Sequence, residues 1–366
     1  MRTIAVLNQK GGVGKTTTAV NTAAALAAAG SRVVVIDLDP QAHMTIHLGL
    51  EPQAIETGSY KVLTQSAAFE DQIMLVRPNL WLLPANIDLV GAESELVSVV
   101  GREIILREAI ESSKDKFDHC LIDCAPSLGL LTLNALAAAK EVLIPLQPHF
   151  LALQGFGKLL QTIELVNKRI NPDLKVRGVL LCMFDTRASL PSEVKADIEQ
   201  FLENARGTDS AWAQARVIPT FIRRNIKLAE APSYGKTIFE YEPNCNGARD
   251  YWNVARCVHA DFQPVPEVEV PEPMKASETP DESDSEEHPP PQPESADVGE
   301  TQEQSEPAEP SPTQSESSDA GEVQEQAAPV EPSPPQPQYV DILDIQDEPE
   351  NHESTKNDFG FPPSRE

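Results

Sequence analysis

The stretch Gln9-Lys10-Gly11-Gly12-Val13-Gly14-Lys15-Thr16-Thr17-Thr18 decides how the chain is read. An apolar run, Thr3-Ile4-Ala5-Val6-Leu7-Asn8, precedes it and reads as a strand. An Ala-rich run, Ala19 to Ala29, follows it and reads as a helix. Strand, glycine loop and helix together form the context of a phosphate-binding loop. Glycines let the backbone curl until successive N–H groups point at one anion, and the helix N-terminus adds partial positive charge. In that arrangement Lys15 reaches the β- and γ-phosphates of a nucleotide and the Thr16 hydroxyl reaches Mg2+. The pattern G-x-x-x-x-G-K-[ST] asks for glycine where Gln9 stands. A second lysine, Lys10, lies instead beside Gly11-Gly12. It is placed either to neutralise its own nucleotide or to reach one on a facing subunit.

Working outward, Gly30 stops the helix. Arg32 to Ile36 is a second apolar strand, and it runs into Asp37-Leu38-Asp39-Pro40-Gln41. Carboxylates two residues apart at a strand end share a face, so Asp37 and Asp39 can both face the phosphates. A third apolar strand, Phe117 to Asp123, ends in a single aspartate. Asp123 there has the character of a second metal-side carboxylate, accepting hydrogen bonds from Mg2+-bound water. The periodicity further predicts a short strand at Leu80–Pro84 and one helix from Gly91 to Ser113, then a helix over Leu128–Ala139. Strands follow at Val142–Pro145, Val176–Met183 and Arg216–Pro219. The remaining helices are read at Leu151–Ile170, Pro191–Asn204, Asn225–Ala231 and Gly247–Phe262. Repeated β-α alternation argues an α/β fold: a mainly parallel twisted sheet with helices on both faces. Ligands bind such sheets beyond the carboxyl ends of the strands, where the loop, Asp37/Asp39 and Asp123 converge.

Charge divides the chain. Of 366 residues and a formal net charge of -28, residues 264–366 hold 28 acidic and 3 basic side chains and 20 of the 32 prolines. That segment is too polar to bury a core, so the expectation is a nearly neutral globular domain over 1–263 and a disordered Pro/Glu/Ser-rich acidic tail over 264–366. No leader precedes the first strand, and no apolar run reaches the roughly 18 residues of a membrane span. The five cysteines form no C-x-x-C pair and read as reduced core thiols of a cytoplasmic protein.

With these pieces assembled, residues 1–260 resemble the ParA/Soj family of partition ATPases, P-loop NTPases in the larger class that includes MinD. The carriers are Lys10-Gly-Gly-Val-Gly-Lys15-Thr16-Thr17, Asp37-Leu-Asp39-Pro40-Gln41, and Ile122-Asp123-Cys-Ala-Pro126-Ser127 running on through Asn134. Further on come Ile144-Pro145-Leu-Gln147 and Arg224-Asn225-Ile-Lys227 extending through Pro232-Ser233-Tyr-Gly235-Lys. The resemblance implies ATP and Mg2+ as cofactors, held at Lys10, Gly11, Gly12, Val13, Gly14, Lys15, Thr16 and Thr17. It implies that Lys10 crosses an ATP-sandwich homodimer, that Asp39 helps place the attacking water, and that Asp37 supports the metal-side network of Thr16 and Asp123. Lys10, Lys15 and Asp39 are then the catalytic residues, and Asn225 lies near the adenine. Two departures from the family pattern stand out. Ala125 replaces a proline and loosens its loop slightly; Ile222-Arg223-Arg224-Asn225 alters the nucleotide loop and adds a positive charge.

The resemblance also implies partners: non-specific DNA for the ATP dimer, association with the nucleoid, and a ParB-like protein that stimulates hydrolysis. DNA binding of this kind needs clustered positive charge. The best local cluster is Arg223, Arg224 and Lys227, with Lys195 and Arg216 as extensions. No helix-turn-helix precedes the first strand, which argues against operator recognition, and the acidic C-terminus argues against a MinD-type membrane helix. Within the tail, Tyr339 to Ile345 is an apolar island that reads as a docking motif. Two other readings keep the same fold: an ATPase that positions a protein cargo instead of DNA, and a scaffold in which nucleotide is structural.

Overall fold

A computed structural model describes residues 1–150 and 152–262, all within the unit Met1–Glu282. The expectations for residues 264–366, including the Tyr339–Ile345 motif, lie outside the described residues.

Eight strands form one sheet: β1 (Arg2–Val6), β2 (Val33–Leu38), β3 (Met74–Arg77), β4 (Leu80–Leu83), β5 (His119–Cys124), β6 (Glu141–Leu146), β7 (Lys175–Phe184) and β8 (Arg216–Arg223). Their order across the sheet is β3-β4-β2-β5-β1-β6-β7-β8. Every pairing is parallel except β3 with β4. The alternation of strand faces explains the core. Ile4, Val6, Val33 and Val35 point into one apolar layer, while Ala5, Leu7, Val34 and Ile36 point into the other. Both faces are covered by helices, so these strands read as continuous apolar runs. β1 lies between β5 and β6, and the chain crosses to opposite sides of it. The carboxyl end of β1 is therefore the switch point where a parallel sheet opens a cleft.

The helix Lys15–Ala28 sits directly behind the glycine loop. Ala19, Val20, Ala23, Ala25 and Ala27 are buried, and these small side chains let the helix pack between the sheet and the helix Asn246–His259. Deep in that contact the Thr18 hydroxyl meets the Tyr251 hydroxyl at 3.2 Å.

Short helices at His43–His47, Ser59–Thr64, Phe69–Gln72 and Ile238–Tyr241 are absent from the sequence reading, and three further differences have a local physical reason. The single helix expected over Gly91–Ser113 is two, Leu89–Leu96 and Ile105–Glu111. The chain breaks at Val99-Val100-Gly101, where Gly101 has φ +74. Asn134 then takes over the freed backbone: its amide donates to the Arg102 carbonyl at 2.7 Å and its oxygen accepts from the Leu106 N–H at 3.1 Å. β3, in a stretch where the periodicity predicts no strand, is a four-residue antiparallel edge strand with Met74 and Leu75 exposed, too short and too one-sided to announce itself. β8 continues past Pro219 to Arg223. Proline is tolerated because β8 is an edge strand and its register shifts between the Val179 and Leu181 pairings.

Candidate active site

The glycine loop closes on its own lysine. Gly14 has φ +93 and is the residue from which the helix starts; its carbonyl accepts the Thr18 N–H at 2.9 Å. Gly12 has φ +73. A side chain at either position would be strained by this backbone even though space is available at Gly12. Lys15 opens the helix, is 7% exposed, and donates its ammonium to the Lys10 carbonyl at 3.2 Å. Burial lowers its pKa, while the charges of Asp123 and Asp39 oppose that shift. Val13 is buried beneath the loop, Thr16 and Thr17 are half-buried, and Gly11 and Lys10 are exposed at the rim.

The three aspartates are brought together by strand register. Asp37 pairs with Asp123 across β2 and β5, and Val6 at the end of β1 pairs with Asp123 from the other side. Asp37 is fully buried and spends its oxygens on protein donors. One accepts the Asp39 N–H at 3.1 Å; the other accepts the Thr45 N–H at 2.9 Å and the Thr45 hydroxyl at 2.8 Å. Its backbone carbonyl accepts from the Ser59 hydroxyl at 2.6 Å. Burial pushes the Asp37 carboxyl up to about 6 in spite of these bonds. Asp37 thus fixes Asp39, whose carboxylate in turn accepts the Gln41 N–H at 3.0 Å.

Asp123 is different. It is 1% exposed, and among the described residues neither of its oxygens has a hydrogen bond of normal geometry. Burial first, and the neighbouring Asp37 charge second, raise its pKa well above the carboxylate range; Thr16 and Lys15 oppose the shift. Two buried oxygens without a hydrogen bond of normal geometry, beside the Thr16 hydroxyl and two further aspartates, with Lys15 the cation acting on Asp123 among the described residues, fit a hard divalent cation. Such ions take carboxylate, hydroxyl and phosphate oxygens. The donor set suits Mg2+, which Asp123 and Thr16 would hold, with Asp37 engaged by Asp39 and Thr45 instead.

Asn225 follows β8. Its side-chain oxygen accepts the Lys227 N–H at 2.9 Å and caps the helix Ile226–Glu230, so its amide group is held in a fixed direction. The chain beyond that helix crosses the segment that follows the helix His43–His47, backbone against backbone. A Cβ on Gly235 (φ +61) would lie 2.6 Å from the Gly49 Cα, so no side chain fits at that crossing. Sequence reasoning alone missed Asn8, Thr45 and Ser59. Asn8 accepts the Lys10 N–H at 3.0 Å and donates to the Pro145 carbonyl at 2.7 Å, anchoring the loop to β6. A polar residue at the end of an apolar strand was the available signal for Asn8. Thr45 and Ser59 carried none, being ordinary small polar residues far along the chain.

The structure leaves the candidate DNA cluster less free than the sequence suggests. Arg223 is ion-paired with the buried Asp250 at 2.5 Å and also donates its backbone N–H to it at 3.0 Å. Lys227 pairs with Glu230 at 2.9 Å, and Lys195 with Glu199 at 3.6 Å. Arg224 is exposed, with no ion pair among the described residues. All five cysteines are free thiols, four of them buried. Among the described residues no helix is long and apolar enough to cross a membrane.

A glycine loop with lysine at its helix start, facing two strand-end aspartates at the switch point of a parallel sheet, defines a P-loop nucleotide-binding protein. Comparison with known proteins narrows the class. A sequence profile described as an AAA domain matches residues 1–176. The chain is 44% identical over 259 residues to sporulation initiation inhibitor protein Soj of Bacillus subtilis (strain 168), covering 70% of this chain and 98% of that one. It is 43% identical over 259 residues to the chromosome partitioning protein ParA of Myxococcus xanthus (strain DK1622), covering 70% and 87%. Among solved structures, cobyrinic acid a,c-diamide synthase from Mycobacterium smegmatis with bound ADP and magnesium is 36% identical with a TM-score of 0.61, over 72% of this chain and 95% of that one. The chain belongs to the Soj/ParA family of chromosome-partitioning ATPases.

Proposed function

We propose that the protein is a switch ATPase for chromosome or plasmid partitioning. It binds ATP and Mg2+, closes as a homodimer over two nucleotides, holds DNA without sequence preference in that state, and is released by partner-stimulated hydrolysis. The observation that carries the site chemistry is the pair of buried Asp123 oxygens, without a hydrogen bond of normal geometry among the described residues, beneath a loop already closed by Lys15. Magnesium and nucleotide are supported by the relative crystallised with ADP and magnesium. Bound magnesium would neutralise charge on the terminal phosphate oxygens. The chain's own residues do the rest. Thr16 and Asp123 hold the metal side, Lys15 binds the β- and γ-phosphates, and the loop N–H groups from Gly11 to Thr17 cradle the remainder. Asp39, held by Asp37 on one side and Gln41 on the other, orients the attacking water. Asn225 presents its fixed amide to the adenine.

Lys10 is the residue this reading needs for the dimer. Lys15 already serves the loop's own phosphates, so an exposed second ammonium at the rim has its natural acceptor on a facing subunit. Lys10→Ala is expected to bind ATP within about threefold of the wild type as a monomer, because no internal contact of Lys15 depends on its side chain. It is expected to remain a monomer with ATP and Mg2+ in analytical ultracentrifugation. An intact ATP dimer in that variant would refute the crossing role.

For DNA, the paired state of Arg223 and Lys227 gives Arg224 the leading part. Removing one cation from the phosphate backbone reduces the slope of log affinity against log salt by about 1. Arg224→Ala is therefore expected to weaken binding of the ATP-bound protein to duplexes of any sequence alike, with that change of slope in a fluorescence-anisotropy salt series. An unchanged slope would move the DNA-binding surface elsewhere on the dimer.

A further inference from the structure

β1 and β6 are neighbouring parallel strands, so the loops leaving their carboxyl ends lie side by side. The loop after β1 carries Lys10; the segment after β6 carries His149. The two side chains meet there, the Lys10 ammonium against His149 Nε2. The contact is anchored at its base, because Asn8 ties the Lys10 backbone to the Pro145 carbonyl on β6. An ammonium can only donate, so His149 must be neutral with Nε2 unprotonated and its hydrogen on Nδ1. The surroundings favour that form: burial and the Lys10 charge lower the His149 pKa, while a hydrogen bond to its own backbone opposes the shift. Among the described residues Lys10 is the one charged group acting on this imidazole; no carboxylate does so.

We propose that His149 is a positioning residue for Lys10, holding the ammonium on its own subunit until a second subunit's phosphates offer a stronger acceptor. This deepens the dimer reading and rests on it. A neutral nitrogen is a weak acceptor beside a triphosphate, so the contact parks the lysine without competing with the closed state. It also keeps Lys10 away from the Asp39–Asp123 site, where a second ammonium would cost the metal its charge balance. Losing the acceptor, or protonating it, frees Lys10 and lets the dimer form at lower ATP.

Two measurements test this. In the nucleotide-free protein, the imidazole of His149 is followed by NMR against pH. Lys10→Gln removes the neighbouring positive charge, so His149 is expected to titrate at higher pH than in the wild type. An unchanged titration would overturn the contact. In the second, ATP-driven dimerisation is followed by ultracentrifugation at pH 7.5, where His149 is neutral. His149→Ala is expected to reach half-dimer at about threefold lower ATP or less. His149→Gln keeps an acceptor and is expected to restore the wild-type requirement. It is also expected to lose the wild type's easier dimerisation at pH well below about 6.5, because the lowered His149 pKa places its protonation beneath the free-imidazole value. An ATP requirement in His149→Ala equal to or above the wild type would overturn the holding role. A wild type that stays monomeric with ATP would remove the dimer reading itself, while the NMR titration still decides the Lys10–His149 contact.

Discussion

Lys15→Ala is expected to lose ATP and ADP binding by at least about 100-fold in titration calorimetry. The lysine is buried at the first position of its helix, with its ammonium on the Lys10 carbonyl and the charges of Asp123 and Asp39 close enough to act on it. An incoming phosphate therefore meets a cation already desolvated and oriented. Deleting one partner of a buried ionic contact costs about 3–5 kcal/mol, and each 1.4 kcal/mol is tenfold in affinity. The loss is larger than one contact suggests, because without Lys15 the phosphates approach Asp39 and Asp123 with the cation that acts on both removed. The fold should persist. Asp123 can take up a proton when its nearest cation is gone, and the helix keeps its start through the Gly14 carbonyl and Thr18 N–H. Circular dichroism should be unchanged while binding disappears. Affinity within tenfold of the wild type would mean that the loop's N–H groups carry the phosphate alone.

This variant could be chosen from the sequence, and the reason is local. A glycine loop between a strand and a helix places its lysine by backbone geometry, within a few residues. Asp123 was legible for the same reason: an apolar strand ending in a carboxylate delivers it to the sheet's carboxyl edge. What the sequence hid depends on register and on long-range contacts. That Asp37 serves as the clamp on Asp39 is set by Thr45 and Ser59, which come from later segments and look like ordinary polar residues. The candidate cluster Arg223, Arg224 and Lys227 did not disclose its ion pairing in the sequence because Asp250, which holds Arg223, lies on a helix that closes the fold from the far end of the domain. His149 reaches Lys10 only because β6 pairs with β1. The helix over Gly91–Ser113 misled because its apolar spacing continues through the break, and Asn134, which serves the Arg102 carbonyl in the break and the Leu106 N–H at the start of the second helix, comes from another helix.

Asp123→Asn should separate stability from chemistry. In the nucleotide-free protein the side chain is buried, without a hydrogen bond of normal geometry among the described residues, and beside the Asp37 carboxylate in register. Its folded pKa is raised, as is that of Asp37, which is pushed up to about 6. The sign follows from linkage. A carboxyl with a raised folded pKa binds its proton more tightly when folded, so stability is highest below the unfolded value near 4. That stability falls as pH climbs from there through the folded pKa. Replacing Asp123 by its neutral isostere removes one of these titrations. The gain should be absent near pH 4 and should grow toward pH 7, reaching at least about 5 °C in Tm by calorimetry. With ATP and Mg2+ the same variant should behave in the opposite sense. Asparagine cannot supply the anionic oxygen that the metal side requires, so magnesium-dependent turnover should fall by about 100-fold or more. Retained turnover without a pH-dependent gain in Tm would mean that Asp123 is a structural residue and that the metal is held elsewhere. The two effects share one cause: a buried carboxylate beside Asp37 is unfavourable while no divalent cation balances it, and the proposed magnesium would supply that balance.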